Sequence, residues 1–225
     1  MLLSGGLDSA TTLFLAKEKG YECRPFIFDY GQRHRREIES ARKIAQASGL
    51  ACEIFKIRFP WKGSSLLDAA LRLPKPAAGS RFKVQGSGIR AGIPSTYVPG
   101  RNIIFLSIAL SYAEAIGAQA IFIGANAIDF SGYPDCRPLF YRAFRKMAGI
   151  GTKTGVEGRP IKISTPLINM TKAEIIRLGM KLGVPYRYTW SCYKGGRVPC
   201  NECDSCRLRA KGFEEIGIED PLTNL

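Results

Sequence analysis

Met1-Leu2-Leu3-Ser4-Gly5-Gly6-Leu7-Asp8-Ser9 decides the fold, because within nine residues an apolar run turns through two glycines and enters a helical pattern. The apolar run is too short for a full strand, and this clipped look gives the expectation of a true start upstream of Met1. From Leu7 to about Lys19 the spacing predicts a helix with Leu7, Leu13, Phe14 and Ala16 inward. The glycines let the backbone approach a ligand, while unpaired amides and the helix dipole favour an anion. Ser4 and Ser9 add hydroxyl donors, and Asp8, which alone would repel phosphate, makes sense beside a bridging Mg²⁺. No Gly-Lys-Ser/Thr follows, so this is not the Walker pattern. A helix cap built from turn residues is the plain alternative.

Downstream, Arg24-Pro25-Phe26-Ile27-Phe28 reads as a buried strand, His34 to Ser48 as an amphipathic helix stopped by Gly49, and Cys52 to Ile57 as a further strand. Such βαβαβ alternation predicts an α/β fold, a parallel sheet with helices on both faces and ligands at the carboxyl ends of the strands. From Pro60 to about Pro99 the pattern gives way to Gly, Pro, Ser and basic residues, read as an insertion over 60–98 that folds over the site as a lid or remains a surface loop. Regularity returns with a helix from Arg101 to Ile116 and a strand from Ala120 to Ile123. A polar loop over 125–137, a helix near Pro138 to Ala148, a strand from Ile161 to Ser164 and a helix from Thr171 to Leu182 follow. The expected division is a nucleotide-binding domain over 1–185 and a cysteine module with a last helix over 186–225.

Four of the seven cysteines, Cys192, Cys200, Cys203 and Cys206, fall in that module at metal-ligand spacing. Tetrahedral thiolate coordination is what structural Zn²⁺ favours, and such a closed site would staple a tail too poor in apolar residues to order itself. An iron-sulfur cluster or redox dithiols are the rivals. Cysteines clustered in this way, with no signal-like N-terminus and no apolar run of about 18 residues, suit a soluble cytoplasmic protein rather than a secreted or membrane one.

The net charge of +14, from 33 Lys and Arg against 19 Asp and Glu, invites a polyanionic partner. The basic residues lie in separated places without interleaved aromatics, so nucleic acid is not the expected partner; a nucleoside triphosphate with an acidic co-substrate, or a solvated basic surface without function, accounts for the charge equally well.

The string S-G-G-x-D-S at a strand-to-helix junction resembles the pyrophosphate loop of the N-type ATP pyrophosphatases, or PP-loop superfamily. Further strings join it: Tyr30-Gly31-Gln32-Arg33-His34, Val98-Pro99-Gly100-Arg101-Asn102, Ser131-Gly132-Tyr133-Pro134-Asp135-Cys136-Arg137, Thr165-Pro166-Leu167 with Lys172, and Ser191-Cys192-Tyr193. Together with the four cysteines they resemble the 7-cyano-7-deazaguanine synthase family over nearly the whole chain, from Leu2 to about Pro221.

That resemblance implies an adenine-nucleotide α-hydrolase-like fold and an ATP-dependent carbon-nitrogen ligase in queuosine and archaeosine biosynthesis. The reaction would take 7-carboxy-7-deazaguanine, ammonia and ATP through an adenylate and an amide to the nitrile, in a homodimer with structural Zn²⁺. It implies nucleotide contacts at Leu3, Ser4, Gly5, Gly6, Leu7, Asp8, Ser9, Gln32, Arg33, Arg101, Asn102 and Lys172. Among these, Asp8, Arg101 and Lys172 would serve catalysis, the two cations neutralising charge on the leaving phosphates. Asp129, Tyr133, Asp135, Cys136 and Arg137 would position the substrate through acceptors for guanine-like N–H groups, a stacking face and a cation for the carboxylate. Cys136 is read as a packing or contact residue rather than a nucleophile, and His34, the one histidine, as a surface or capping residue. The chain departs from the family pattern at Leu139, where an acidic residue stands, and at Asn201, where a glycine stands. The first departure keeps open a related ligase with a protein or other acceptor, and the charge keeps open a tRNA-modifying PP-loop enzyme.

Overall fold

The computed structural model describes residues 1–32, 35–68, 70, 71, 73, 93–126 and 132–223. Arg33, His34 and Asp129, with most of the insertion over 60–98, lie outside the described residues.

Helices α1 (Leu7–Glu18), α2 (Arg36–Ala47), α3 (Arg101–Ala115), α4 (Pro138–Gly151), α5 (Lys153–Val156), α6 (Lys172–Lys181) and α7 (Asp204–Glu214) alternate with strands β1 (Phe26–Asp29), β2 (Glu53–Lys56), β3 (Ala120–Phe122) and β4 (Lys162–Ser164). β1 pairs in parallel with β2 and β3 with β4. Residues 1–3 join the two ladders: the Leu2 amide donates to the Phe122 carbonyl at 2.9 Å and the Leu3 amide to the Phe26 carbonyl at 3.0 Å. This short segment is thus central to the sheet, ordered by a neighbour on each side rather than by its own length.

Side-chain alternation then divides the core. Leu3, Ile27 and Phe122 face one cluster with Leu7, Leu13, Ile38, Ile44, Ile175 and Ile176, drawn from α1, α2 and α6. Leu2, Phe26, Phe28, Ile121 and Ile163 face the other, with Leu106, Leu110, Tyr141 and Phe144 from α3 and α4. Both sheet faces are therefore covered, as the βαβ alternation predicts. Phe14 is only partly buried and packs at the margin of the first cluster. Among the described residues no helix is long and apolar enough to cross a membrane.

α7 packs on α6 so closely that a Cβ on Gly212 would lie 2.6 Å from Lys172 Cγ. Arg209 of α7 binds Asp220 at 2.6 and 2.8 Å and donates to Thr189 Oγ1 at 2.6 Å, which fixes the tail against the short 3-10 turn at Tyr186–Tyr188. Asn201 is, among the described residues, the non-glycine with positive φ, +56°, the left-handed turn for which asparagine can replace glycine.

Candidate active site

The loop between Leu3 and α1 lies at the carboxyl edge of the sheet. Gly5 adopts φ +84°, and a Cβ there would meet the Glu37 carbonyl oxygen at 2.2 Å, so only glycine lets α2 close on the loop. The first helical backbone bond runs from Ala10 N to Gly6 O. The amides of Leu7, Asp8 and Ser9 thus have no acceptor among the described residues, and no side chain caps the helix. The hydroxyls are organised internally: Ser4 Oγ donates to Ser9 Oγ at 3.0 Å, and Ser9 Oγ also receives the Ser4 amide at 3.2 Å. Gly6 N reaches Ser4 Oγ only at 3.3 Å. The hydroxyls therefore hold the loop open while the first-turn amides stay available for an anion.

Lys172, at the start of α6, is placed by a capping box in which Thr171 and Glu174 bond each other's amides. Its ammonium binds both carboxylate oxygens of Asp8, and the pair is largely buried. The sequence assigns Asp8 to a metal and Lys172 to phosphate; in the structure the two bind each other.

A cavity of about 160 Å³ opens over this loop, bordered by Ser4, Gly6, Leu7, Asp8, Ser9 and Lys172 on one side and by Trp190, Ser205 and Arg209 of the tail on the other. A larger one, about 280 Å³, adjoins it and is lined by Leu3, Phe28, Tyr30, Gln32, Arg101, Asn102, Phe105, Tyr133 and Cys136. Its size and aromatic walls suit a flat heterocycle. Gly124, at the end of β3, borders both, and a Cβ there would stand 2.7 Å from Ser9 N.

Arg101 follows Gly100, whose φ of +63° lets the chain turn into α3, and its Nη1 donates to Tyr30 Oη at 3.4 Å. Burial works against its charge, but Tyr30, Cys136 and Asp135 more than offset this and hold the guanidinium protonated. Tyr133 shares a hydrogen bond with Thr96 at 2.5 Å and stacks on Tyr97. Burial, with Asp135 adding to it, pushes the Cys136 thiol up to about 11, so it stays neutral and the reading as a contact residue rather than a nucleophile agrees with its chemistry. Glu37 borders both cavities, and burial raises its carboxyl to about 7 against the opposing influence of Arg101.

Not every expected contact reaches a cavity. Asp135 is buried and caps α3, its Oδ2 accepting the Asn102 amide at 3.0 Å while Asn102 Nδ2 donates to the Asp135 carbonyl at 3.2 Å. Arg137 borders neither cavity. Leu139 is 69% exposed and also borders neither, so its departure from the acidic pattern does not alter the walls of the site. Glu37 and Gly124 went unread in the sequence, since an acid in a first helical turn and a glycine after a strand are ordinary structural signals.

The four cysteine sulfurs lie within 4.8 Å of one another, with Cys200 Sγ and Cys206 Sγ 3.9 Å apart. A tetrahedral ion with sulfur at about 2.3 Å sets sulfurs about 3.8 Å apart, so the group could hold one metal ion. Without an ion the thiols bond one another, Cys203 and Cys206 holding Cys192 below its ordinary range while they are themselves raised, so the sulfurs share protons that a metal would displace. The backbone around them bends to the same end, Cys200 N and Cys203 N donating to Cys192 Sγ and Cys200 Sγ, each at 3.4 Å.

Residues 1–217 match the family model described as queuosine biosynthesis protein QueC. A 7-cyano-7-deazaguanine synthase from Nostoc sp. (strain PCC 7120) is 53% identical over 225 residues, covering 99% of this chain and 95% of that protein. Proteins of the same name from Thermosynechococcus vestitus and Saccharophagus degradans are each 50% identical, over 99% and 98% of this chain and 93% and 95% of theirs.

Proposed function

The chain belongs to the QueC family of queuosine biosynthesis proteins, and from that premise we propose that it is an ATP-dependent ligase that converts 7-carboxy-7-deazaguanine to 7-cyano-7-deazaguanine. The observation that carries this reading is the continuity of two cavities, one over free first-turn amides and a Lys172–Asp8 pair, the other aromatic-walled. A pyrophosphate held by the loop and a heterocycle held against the wall of stacked Phe28 and Phe105, with Tyr133 beside it, would meet where the cavities join. There the α-phosphorus is open to the acid carboxylate, pyrophosphate leaves and an adenylate forms. Ammonia then displaces AMP to give the amide, and a second activation dehydrates it to the nitrile.

Lys172 and Arg101 supply fixed cations for the charge that grows on the phosphates. Mg²⁺ enters with ATP as part of the substrate, and Asp8 is the carboxylate at hand for it once Lys172 turns to phosphate. Arg33 and Asp129 are retained as candidates for nucleotide and substrate. Asp135 is assigned to positioning instead, since it shapes the wall that carries Asn102 and Cys136.

Zn²⁺ is the ion proposed for the cysteine group, in a structural role. A multi-iron cluster places its four thiolates on at least two irons and would spread those on different irons further apart than the sulfurs stand. Residues 186–225 are proposed as its module, with 1–185 as the nucleotide-binding domain. A homodimer is the proposed assembly in the cytoplasm, supported by apolar surface on and beside α4, where Ile150 is 72% and Val156 76% exposed.

Incubation with 7-carboxy-7-deazaguanine, ATP, Mg²⁺ and ammonia tests the reading: nitrile and AMP are expected, and neither appearing would overturn it. A ligase for a protein acceptor loses its motive with Leu139 outside the cavities. A tRNA-modifying enzyme would instead show salt-resistant retention of tRNA in a gel shift.

A further inference from the structure

An acyl adenylate joins the α-phosphate to the substrate carboxyl, so its reactive carbon must lie where the phosphate cavity meets the aromatic one. Six residues border both: Ser4, Asp8, Ser9, Glu37, Gly124 and Tyr193. Two of them bear carboxylates. Asp8 is bound by Lys172 through both oxygens, whereas Glu37 makes no hydrogen bond or ion pair among the described residues. Its place is fixed by backbone, because the first turn of α2 lies directly on Gly5 of the loop.

We propose that Glu37 is the general base of the amide-forming step. As the nitrogen lone pair of ammonia forms the new C–N bond, one N–H proton passes to the Glu37 carboxylate. The carbonyl electrons collapse back, the C–O bond to the phosphate breaks, and AMP leaves with that electron pair. The products are the primary amide, AMP and a protonated Glu37, which returns its proton to solvent when the site opens.

The surroundings fit a base rather than a structural acid. Arg101 of α3 and Tyr30 at the end of β1 are the charged and titratable groups that act on it electrostatically, Asp8 of α1 and Lys172 of α6 face the same cavities as a neutralised pair, and Tyr193, Tyr133 and Cys136 complete the walls. Burial leaves the carboxyl half-ionised near neutrality, where a base is both present and strong enough to accept a proton.

The proposal rests on the adenylate chemistry given above, and the experiment separates the two. In the wild type, acid-dependent ATP–pyrophosphate exchange stops at the adenylate and tests the chemistry; its absence removes both. Glu37→Gln is expected to lower amide formation from ammonia about 10²-fold or more while exchange falls less than about threefold. Hydroxylamine, a stronger neutral nucleophile that needs little help from a base, is expected to restore much of the product. Amide formation within about threefold of wild type, or an equal loss of exchange and amide, would overturn the assignment. Should the variant fail to fold, the wild-type pH profile taken at constant free NH3 decides: amide formation must lose activity as a single group protonates near pH 7 while exchange does not, and parallel profiles reject Glu37 as the base.

Discussion

Lys172 and Asp8 stand 164 residues apart in sequence and meet through two hydrogen bonds of 2.7 and 2.9 Å, tying the first turn of α6 to the first turn of α1. The pair is buried enough that loss of one partner strands the other. Lys172→Met is expected to cost about 2 kcal/mol of stability and to lower ATP–pyrophosphate exchange about 10²-fold. Combining it with Asp8→Asn should restore most of the stability and none of the exchange. Thermal melts and exchange assays on the two single variants and the double read both quantities, and full additivity in the melts would show that the two groups do not interact.

Gly124 sits under the loop with no room for a methyl group, since a Cβ would approach Ser9 N at 2.7 Å and Asp8 C at 2.8 Å, both backbone atoms. Gly124→Ala should raise the KM for ATP at least about 10-fold by displacing the first-turn amides. Gly149→Ala is the control: it lies within α4 with nothing within 4 Å of the added methyl and is expected to stabilise by about 0.5–1 kcal/mol. An unchanged KM in Gly124→Ala would mean that the loop yields freely.

Removal of the metal should be felt as loss of structure. The cysteines Cys192, Cys203 and Cys206 are buried together with Trp190 and Leu222, and the cluster contains little else. Metal analysis is expected to give one zinc per chain. Chelation or Cys206→Ser should lower the melting temperature and expose α7 to protease, and a colourless zinc-free protein with an unchanged melt would contradict the structural role.

Glu37 also makes stability depend on pH. Burial raises its carboxyl to about 7 in the folded chain, above the ordinary carboxylate range of the unfolded one. The folded state therefore keeps its full stability below the unfolded value and loses some as pH rises through about 7, because folding then buries a charge. Glu37→Gln should be more stable than wild type by about 1–3 kcal/mol at pH 8, with the difference vanishing near pH 4. Denaturant titrations at several pH values check the trend, and a difference that does not change with pH would contradict it.

Much of this was legible in the sequence where local pattern and chemistry coincide. The buried run Phe26-Ile27-Phe28, the helix ending at Gly49 and the cysteine spacing each admit few foldings, and α1, α2, α3, α4 and α6 begin within two residues of where periodicity puts them. Residues whose role depends on what lies across the fold were not legible. Asp135, a carboxylate in a polar loop, reads as well for a ligand as for the cap of a distant helix, and only the approach of the Asn102 amide distinguishes the two. Glu37 looks like an acid complementing a helix dipole until α2 is laid on Gly5. Lys172 and Asp8 were each readable as active-site groups, but not as partners. Arg33 and Asp129 lie outside the described residues, so their assignments rest on the family pattern.

The Trp190 amide donates to the Gly5 carbonyl at 2.9 Å, and Arg36 lies over the Trp190 ring at 4.2 Å. One rim of the phosphate cavity is therefore made by chain that follows β4 in sequence. A nascent polypeptide that has completed its sheet still lacks that rim, and gains it only as Trp190 and α7 emerge. Closure of that cavity thus waits on residues synthesised after the last strand, β4.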